Sequence, residues 1–567
     1  MNQKLFDEKR LKIIDVATSY FRKISYYFRW LGVLFVTICA PVLTILLLNP
    51  TKETDSGSVI TFNPNFDRNI ETSLLQVQPG NGRYFTDGSG RAVYLTGSHT
   101  WANLQNAGES DPPPVFDYTA YLDFLEANNH NFIRLWAWEQ AKWAPWTTGD
   151  IWFAPMPYKR TGPGMALDSK PKYDVTEFNQ AYFDRLRTRI IEAGNRGIYV
   201  SIMLFDGWSI EGEGKGSGNP WLGHPFNSQN NINGVDGDSN GNGRGEETHT
   251  LQLKAINDLQ EAYVRKVIDT VNDLDNVLYE ISNESHSNSQ AWQYHMINYI
   301  KNYEASKPKQ HPVGMTVEYP GGDNYELFAS PADWISPNGD GGYTDNPPAA
   351  DGSKVIILDT DHLWGIGGDR QWVWKSFTRG YNPIYMDCYS EVFCTDVNPV
   401  SDPTMVSVRR NMGYTLNYAN RINLAAMTPR GDLCSTGYCL ANPAASGAEY
   451  LVYAPTSGTF TVNLSGTKGE FAVEWFNPET GSIVNGGTIS GGMTRSFSPP
   501  FVGDAVLYLS SSMPVPPTST PDLMYRNYNA IISSGEGEQG GGSQQEENSI
   551  VSTQKANLCK DDSPLNQ

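Results

Sequence analysis

Between about residue 93 and residue 418, strand-like segments with a two-residue apolar period are interleaved with segments of helical period. Strands joined through helices must lie parallel, because a parallel pair needs a crossover that a tight turn cannot supply. The strand-like runs are Val93–Ser98, Phe132–Trp138, Ile198–Phe205, Val277–Ser282, Pro312–Glu318, Asp333–Ser336, Val355–Asp359 and Pro383–Asp387. Helical patterns cover Tyr118–Ala127, Phe178–Asn195, Leu251–Val271, Gln290–Tyr303, Arg370–Arg379 and Pro403–Tyr418. Eight strands over this length predict an α/β fold of the (β/α)8 barrel type. No Gly-rich dinucleotide fingerprint follows the first strand, which argues against a doubly wound nucleotide-binding sheet.

The barrel is expected over residues 81–425, entered through a hairpin at Gly82–Arg91. After Asn423 the pattern changes to short strands (Tyr450–Tyr453, Thr459–Leu464, Phe471–Phe476 and Ala505–Leu509) between Gly, Pro, Asn and Ser turns. That spacing predicts a small antiparallel β-sandwich over residues 430–511. Residues 512–567 are Pro/Ser/Thr-rich and then Gly/Glu/Gln-rich, with little to bury, and read as disordered.

At the other end, Leu31–Leu48 is an 18-residue uncharged apolar stretch, long enough to span a bilayer. Lys4, Lys9, Arg10, Lys12, Arg22, Lys23 and Arg29 precede it, while Glu53 and Asp55 soon follow Lys52. The positive-inside bias places residues 1–30 in the cytoplasm, 31–48 in the membrane as a single N-terminal helix, 49–80 as a polar stalk and the remainder outside the cell. A cleaved signal peptide is the alternative, but the leader is long and no small-x-small site follows Leu48.

An oxidising exterior also suits the cysteines. Cys388/Cys394 and Cys434/Cys439 form two close pairs in loop-like sequence, without CxxC spacing or a His-rich partner, so two local disulfides are expected rather than zinc. A net charge of −20 argues against a nucleic-acid partner, because no basic surface is available to neutralise phosphates. The 15 Trp and 30 Tyr supply flat apolar faces with polar handles, which suits stacking on sugar rings.

The chemistry gathers at predicted strand ends, the catalytic edge of a parallel barrel. The fourth strand ends in Asn283-Glu284, and a carboxylate beside an amide at that edge is a candidate proton donor to a glycosidic oxygen. Capping of a following helix is the plainer explanation of the same Glu. On the second strand the two-residue period puts Arg134, Trp136 and Trp138 on one face, and an inward Arg needs an anionic partner. The first strand ends in Ser98-His99-Thr100-Trp101, and the third in Asp206-Gly207-Trp208. The seventh delivers Asp359 and Asp361 on one face beside His362 and Trp364, so one acid is expected to react and the other to support it. Asp387, after the eighth strand, is a further choice.

These residues resemble the retaining glycoside hydrolases of clan A, and within it the apiosidase-like family, whose members often carry a C-terminal sandwich of collagen-binding type. The resemblance spans about residues 80–511. It implies Glu284 as acid/base and Asp361, or else Asp359, as nucleophile. Asn283, Arg134, His99, Trp101, Trp136, Trp138, Asp206, Trp208, His362 and Trp364 would then surround a carbohydrate substrate, and no cofactor would serve catalysis. Most clan members carry Glu where Asp361 stands, so the shorter side chain must be brought forward by the backbone.

Residues 236–247 match D-x-[DN]-x-[DN]-G-x5-E in full. Asp236, Asp238, Asn240, Asn242 and Glu247 offer oxygen at calcium-loop spacing, although the incoming helix of an EF-hand is missing, so a structural Ca²⁺ is expected. A solvated acidic loop is the alternative. Of two glycosylation sequons, Asn283-Glu284-Ser285 lies where modification would block a cleft, and Asn463-Leu464-Ser465 is open. The expected protein is thus a membrane-anchored glycoside hydrolase facing outward. Its main rival is a non-catalytic carbohydrate or matrix receptor on the same scaffold. A protease finds no HExxH or G-x-S-x-G support.

Overall fold

The computed structural model describes residues 72–147, 149–210, 218–338, 347–389 and 400–511, together with the backbone pairing of residues 60–61. Eight parallel strands form a barrel: β1 (Gly97–His99), β2 (Phe132–Leu135), β3 (Tyr199–Asp206), β4 (Val277–Asn283), β5 (Val313–Thr316), β6 (Trp334–Ser336), β7 (Val355–Asp359) and β8 (Asn382–Met386). Ladders join them in the order β1-β8-β7-β6-β5-β4-β3-β2. The remaining gap is bridged by Asn131, whose N–H donates to the Thr96 carbonyl at 3.0 Å while its Oδ1 accepts from Thr96 N at 2.9 Å. Gly97 permits that closure: a Cβ there would lie 2.2 Å from the Phe132 carbonyl oxygen.

The strand period sorts side chains to two cores. Val200, Ile202 and Leu204 of β3 and Val277, Tyr279 and Ile281 of β4 face outward onto helices Gln180–Gly194 and Lys254–Val271. Leu95, Phe132, Tyr199, Leu278, Trp334, Val355, Ile357 and Ile384 plug the lower barrel. Above this plug the inward positions turn polar, with Arg134, Ser201, Glu280, Ser282 and Asp359 all buried. That change of chemistry along otherwise apolar strands places the site at their C-terminal ends.

Insertions depart from the expected pattern. Tyr158–Met165 pairs with Pro171–Phe178 as a long hairpin after β2, and Asn324–Ala329 forms a short helix after β5. Neither shows in the periodicity: the hairpin's first strand is largely exposed and interrupted by Gly162-Pro163-Gly164, so it has no apolar face to announce it. The expected 49–80 stalk needs correction. Ile60–Thr61 pairs with Ile483 and Ser482 at the edge of the C-terminal sheet, and Leu75 is fully buried in the barrel plug.

The C-terminal region is a seven-stranded antiparallel sheet faced by the pair Phe460–Asn463 and Thr494–Phe497. Its central strand Glu449–Ala454 buries both faces. Tyr450 and Val452 enter the sandwich core, whereas Leu451 and Tyr453 pack with Trp374, Phe377, Leu416 and Tyr418 from two barrel helices. Asp504, almost fully buried, accepts from Arg370 Nη2 at 2.9 Å and from Tyr453 Oη at 3.0 Å. Barrel and sandwich therefore belong to one compact unit.

The expected Cys434–Cys439 disulfide is not formed. Both are buried free thiols. Cys439 opens the strand Cys439–Asn442, and the Cys434 sulfur sits 3.1 Å from Thr436 Oγ1. A hydrogen bond from Cys439 pulls the Cys434 thiol down to about 6. Cys394, Leu31–Leu48 and residues 512–567 lie outside the described residues, and with them the other disulfide, the membrane helix and the tail. Among the described residues no helix is long and apolar enough to cross a membrane.

Candidate active site

At the mouth of the barrel Arg134 of β2 is buried and surrounded by oxygen. Its Nε and Nη2 donate to Glu280 of β4 at 3.0 and 2.5 Å, and Nη1 donates to Asp359 of β7 at 2.8 Å. Nη1 also lies 3.4 Å from Asp361 Oδ2, and Nη2 donates to Asn283 Oδ1 at 2.8 Å. Burial alone would loosen the guanidinium proton, but Glu280 and then Asp359 outweigh it and hold the charge more firmly than usual. Glu280 escaped the sequence reading. A charge inside the run Val277–Ile281 was the available signal, since it had to be paired.

The two strand-seven acids occupy different environments. Asp359 is fully buried, with His99 Nε2 2.9 Å from Oδ2 and 3.0 Å from Oδ1, and its Oδ1 also accepts from Asp361 N at 3.0 Å. Burial works against its charge, yet His99 and Arg134 hold it well below the usual carboxylate range. Asp361 sits on the single-turn helix Thr360–His362 with 11 % of its side chain exposed. Burial, and then Asp359, push it up to about 6 against the pull of Arg134.

His362 joins these acids to strand four. Its ring is 3.0 Å from Asn283 Oδ1 through Nε2 and 2.7 Å from Ser336 Oγ through Nδ1. Arg134 can only donate, so Asn283 must present its oxygen there. It follows that His362 Nε2 carries the proton and Nδ1 accepts from Ser336. Burial, then Arg134, lower His362 to about 3, which keeps this tautomer neutral. The Asn283 amide nitrogen has no protein partner among the described residues.

Glu284 leaves β4 in the left-handed region, with φ 45°, a conformation that costs a non-glycine residue about 1–3 kcal/mol. Its Oε2 accepts from Trp208 Nε1 at 2.6 Å. Gly207 lets the chains approach, because a Cβ there would lie 2.2 Å from the Glu284 carbonyl oxygen. Behind Glu284, Ser285 Oγ lies 2.9 Å from His249 Nδ1, and His249 Nε2 lies 2.9 Å from Glu139 Oε1. Burial would raise Glu139, but His249 and His224 draw it down to about 2. This Glu139–His249–Ser285 line was not anticipated. Its members lie in separate loops, and no local spacing links them.

Several expected ligands of the substrate are corrected. Trp136 and Trp138 are 1 % and 2 % exposed, packed with Ala102, Phe153 and Met203, so they offer no free face. Arg134, His99 and His362 are buried among their partners and act on the acids rather than on a sugar. Asp206 is buried and caps the turn Gly207–Ser209 by accepting from Trp208 N at 3.3 Å. Asp387 is bound by buried Arg409 at 2.6 and 2.8 Å. Half-buried Trp101, stacked on exposed Trp146 at 5.6 Å, is more accessible, as are Trp208, parallel to Tyr319 at 6.2 Å, and exposed Trp364.

The 236–247 loop is held by its own backbone: Asp238 accepts from Asn242 N at 3.1 Å and Gly243 N at 2.8 Å, and Asn240 accepts from Asn242 N at 2.8 Å. Among the described residues no three His, Cys, Asp or Glu side chains gather as a ready metal site.

Two family models match parts of the chain: "Domain of unknown function (DUF6298)" over residues 129–323 and "Putative collagen-binding domain of a collagenase" over residues 436–510. No curated protein matches. Among solved structures, a glycoside hydrolase family 5 protein from Bacteroides vulgatus shares 14 % identity at TM-score 0.50, over 78 % of this chain and 96 % of that one. A second protein of that bacterium, described as a "putative glycoside hydrolase", shares 11 % identity at TM-score 0.53, over 78 % and 83 %. At these identities the likeness is one of fold.

Proposed function

We propose that this protein is a glycoside hydrolase acting on O-glycosidic bonds of oligo- or polysaccharides, with Glu284 as acid/base and Asp361 as nucleophile. One observation carries the reading: Glu284 is turned out of β4 onto Trp208, while its neighbour Asn283 shares Arg134 and His362 with the acids of β7. Of those acids, Asp359 has both oxygens engaged, which supports Asp361 as the attacking group.

In the first step the Asp361 carboxylate bonds to the anomeric carbon as the glycosidic C–O bond breaks, and the Glu284 proton passes to the leaving oxygen. Water then displaces Asp361, giving its proton back to Glu284. Asn283 Nδ2 is free to hold a sugar hydroxyl, and Trp101, Trp146, Trp208 and Trp364 are candidate stacking faces in reach of solvent or only half covered. The barrel fold shared with family 5 hydrolases agrees with this reading. The extracytoplasmic placement and the anchor rest on Leu31–Leu48 and its flanking charges.

The test is Glu284→Gln, assayed with aryl glycosides and with plant and algal polysaccharides; undiminished turnover in the purified variant overturns the assignment. A second reading, carbohydrate binding without cleavage, is favoured by the short Asp at 361 and its partial protonation near pH 6. Glycan binding with no product after long incubation would select it.

A further inference from the structure

We propose that the loop Asp236–Glu247 binds one calcium ion, and that the ion holds in place the segment bracing Glu284. The observation is Glu247. It is 6 % exposed, and its Oε2 is buried with no hydrogen-bond partner. A buried carboxylate left alone is costly unless a cation meets it.

The loop is closed at its mouth. Thr248 Oγ1 donates to the Gly237 carbonyl at 3.2 Å, which ties together the two ends of the loop, next in sequence to Glu247 and Asp236. The positions between them offer Asp238 and Asn240 oxygens, with Gly241 at φ 72° making the turn. Carboxylate and amide oxygens without thiolate or imidazole select a hard cation, and a flexible loop of mixed oxygen donors suits Ca²⁺ rather than strictly octahedral Mg²⁺. Binding would draw the Glu247 carboxylate and the Asp236, Asp238 and Asn240 oxygens onto one centre, replacing some of the backbone bonds that now occupy them.

The end of the loop is the single-turn helix Glu246–His249, which carries the contacts behind Glu284. The Glu246 carbonyl lies 2.9 Å from His286 Nε2, and His249 contacts Ser285 and Glu139 at 2.9 Å each. Both residues after Glu284 are therefore held by the segment that calcium would fix. The bracing of Glu284 matters only if the hydrolase reading holds; the binding of the ion does not depend on it.

Trp221 supplies the probe. Its ring is lodged against the loop, since a Cβ at Gly237 or Gly245 would lie 2.7 or 2.2 Å from ring atoms. The whole chain, stripped with EDTA, is titrated with Tb³⁺ under tryptophan excitation and melted with Ca²⁺ or equal Mg²⁺. The expected result is saturable terbium emission displaced by Ca²⁺, and a melting temperature raised by Ca²⁺ more than by Mg²⁺. Glu247→Gln loses both responses, yet in EDTA melts above the stripped wild type because no buried charge remains. Asp236→Asn, at an exposed position, weakens terbium binding at least tenfold and covers the case in which the Gln variant does not fold. Absence of saturable emission, an equal response to Mg²⁺, or unaltered binding by either variant overturns the proposal.

Discussion

Trp208 Nε1 donates to Glu284 Oε2 across 2.6 Å, and the same indole lies parallel to the Tyr319 ring at 8°. One side chain thus binds the proposed acid and stacks on a neighbouring aromatic ring. The carboxylate of Glu284 is aimed by a partner from the loop after β3, 76 residues away in sequence.

Trp208→Phe keeps an aromatic ring against Tyr319 and removes the donor. The expected outcome is a fall in kcat of roughly tenfold to a hundredfold, the scale of a mis-set general acid, with KM little altered. Steady-state kinetics on an aryl glycoside checks it, and a change confined to KM would contradict the orienting role.

Gly207→Ala places a methyl group against backbone rather than a movable side chain, 2.2 Å from the Glu284 carbonyl oxygen and 2.6 Å from Ser285 Cα. Glu284 must shift, and displacement by about 1 Å costs on the order of a hundredfold in rate. Circular dichroism should show a folded protein with little activity.

The pH dependence follows from Asp361. The proposed attack needs the carboxylate, and burial with Asp359 pushes this group up to about 6. The ionised fraction falls as pH drops through that value, so kcat/KM declines roughly tenfold per unit below it. Because Asp359 contributes to the upward shift, Asp359→Asn is expected to move this limb to lower pH. A limb displaced the other way would sever the coupling between the two acids.

Arg134→Met leaves Glu280 and Asp359 buried without their guanidinium. Breaking such a pair costs about 3–5 kcal/mol. Urea unfolding of the variant should show a loss of that order. Arg134→Lys recovers only part of it, because an ammonium cannot hold Glu280 through two nitrogens and reach Asp359 as well.

Deleting residues 428–511 strips Leu451, Tyr453 and Phe476 from Trp374, Phe377 and Tyr418. The expected product is an aggregating barrel rather than a free domain, readable by size-exclusion chromatography. A soluble, monomeric truncation would show that the barrel can cover this face without the sandwich.

Much of the frame was legible along the chain. The eight strand-like runs are continuously buried stretches bounded by turn residues, and the helix Tyr118–Ala127 buries Tyr118, Tyr121, Leu122 and Leu125 at helical spacing. The strands after Asn423 are short and divided by turns, and all of these signals act at short range. Legible too were the placing of Asn283-Glu284 at a strand end and the need of Arg134 for an acid. The hairpin Tyr158–Phe178 was hidden because exposed strands need no apolar alternation, and Trp136 and Trp138 were misjudged because a Trp near a strand end can pack as well as stack.

Sequence alone determined the barrel strands and their main helices, and set Asn283-Glu284 and Asp359 at strand ends, because apolar runs and turn chemistry act between near neighbours. Only the tertiary structure decided that Arg134 is shared by Glu280, Asp359, Asp361 and Asn283, that Asp359 is locked while Asp361 is partly open, and that Glu139, His249 and Ser285 form a line behind Glu284. Those relations join residues 36 to 227 positions apart. Closure of the barrel brings them within hydrogen-bond range, and burial there makes each unpaired charge costly enough to select its partner.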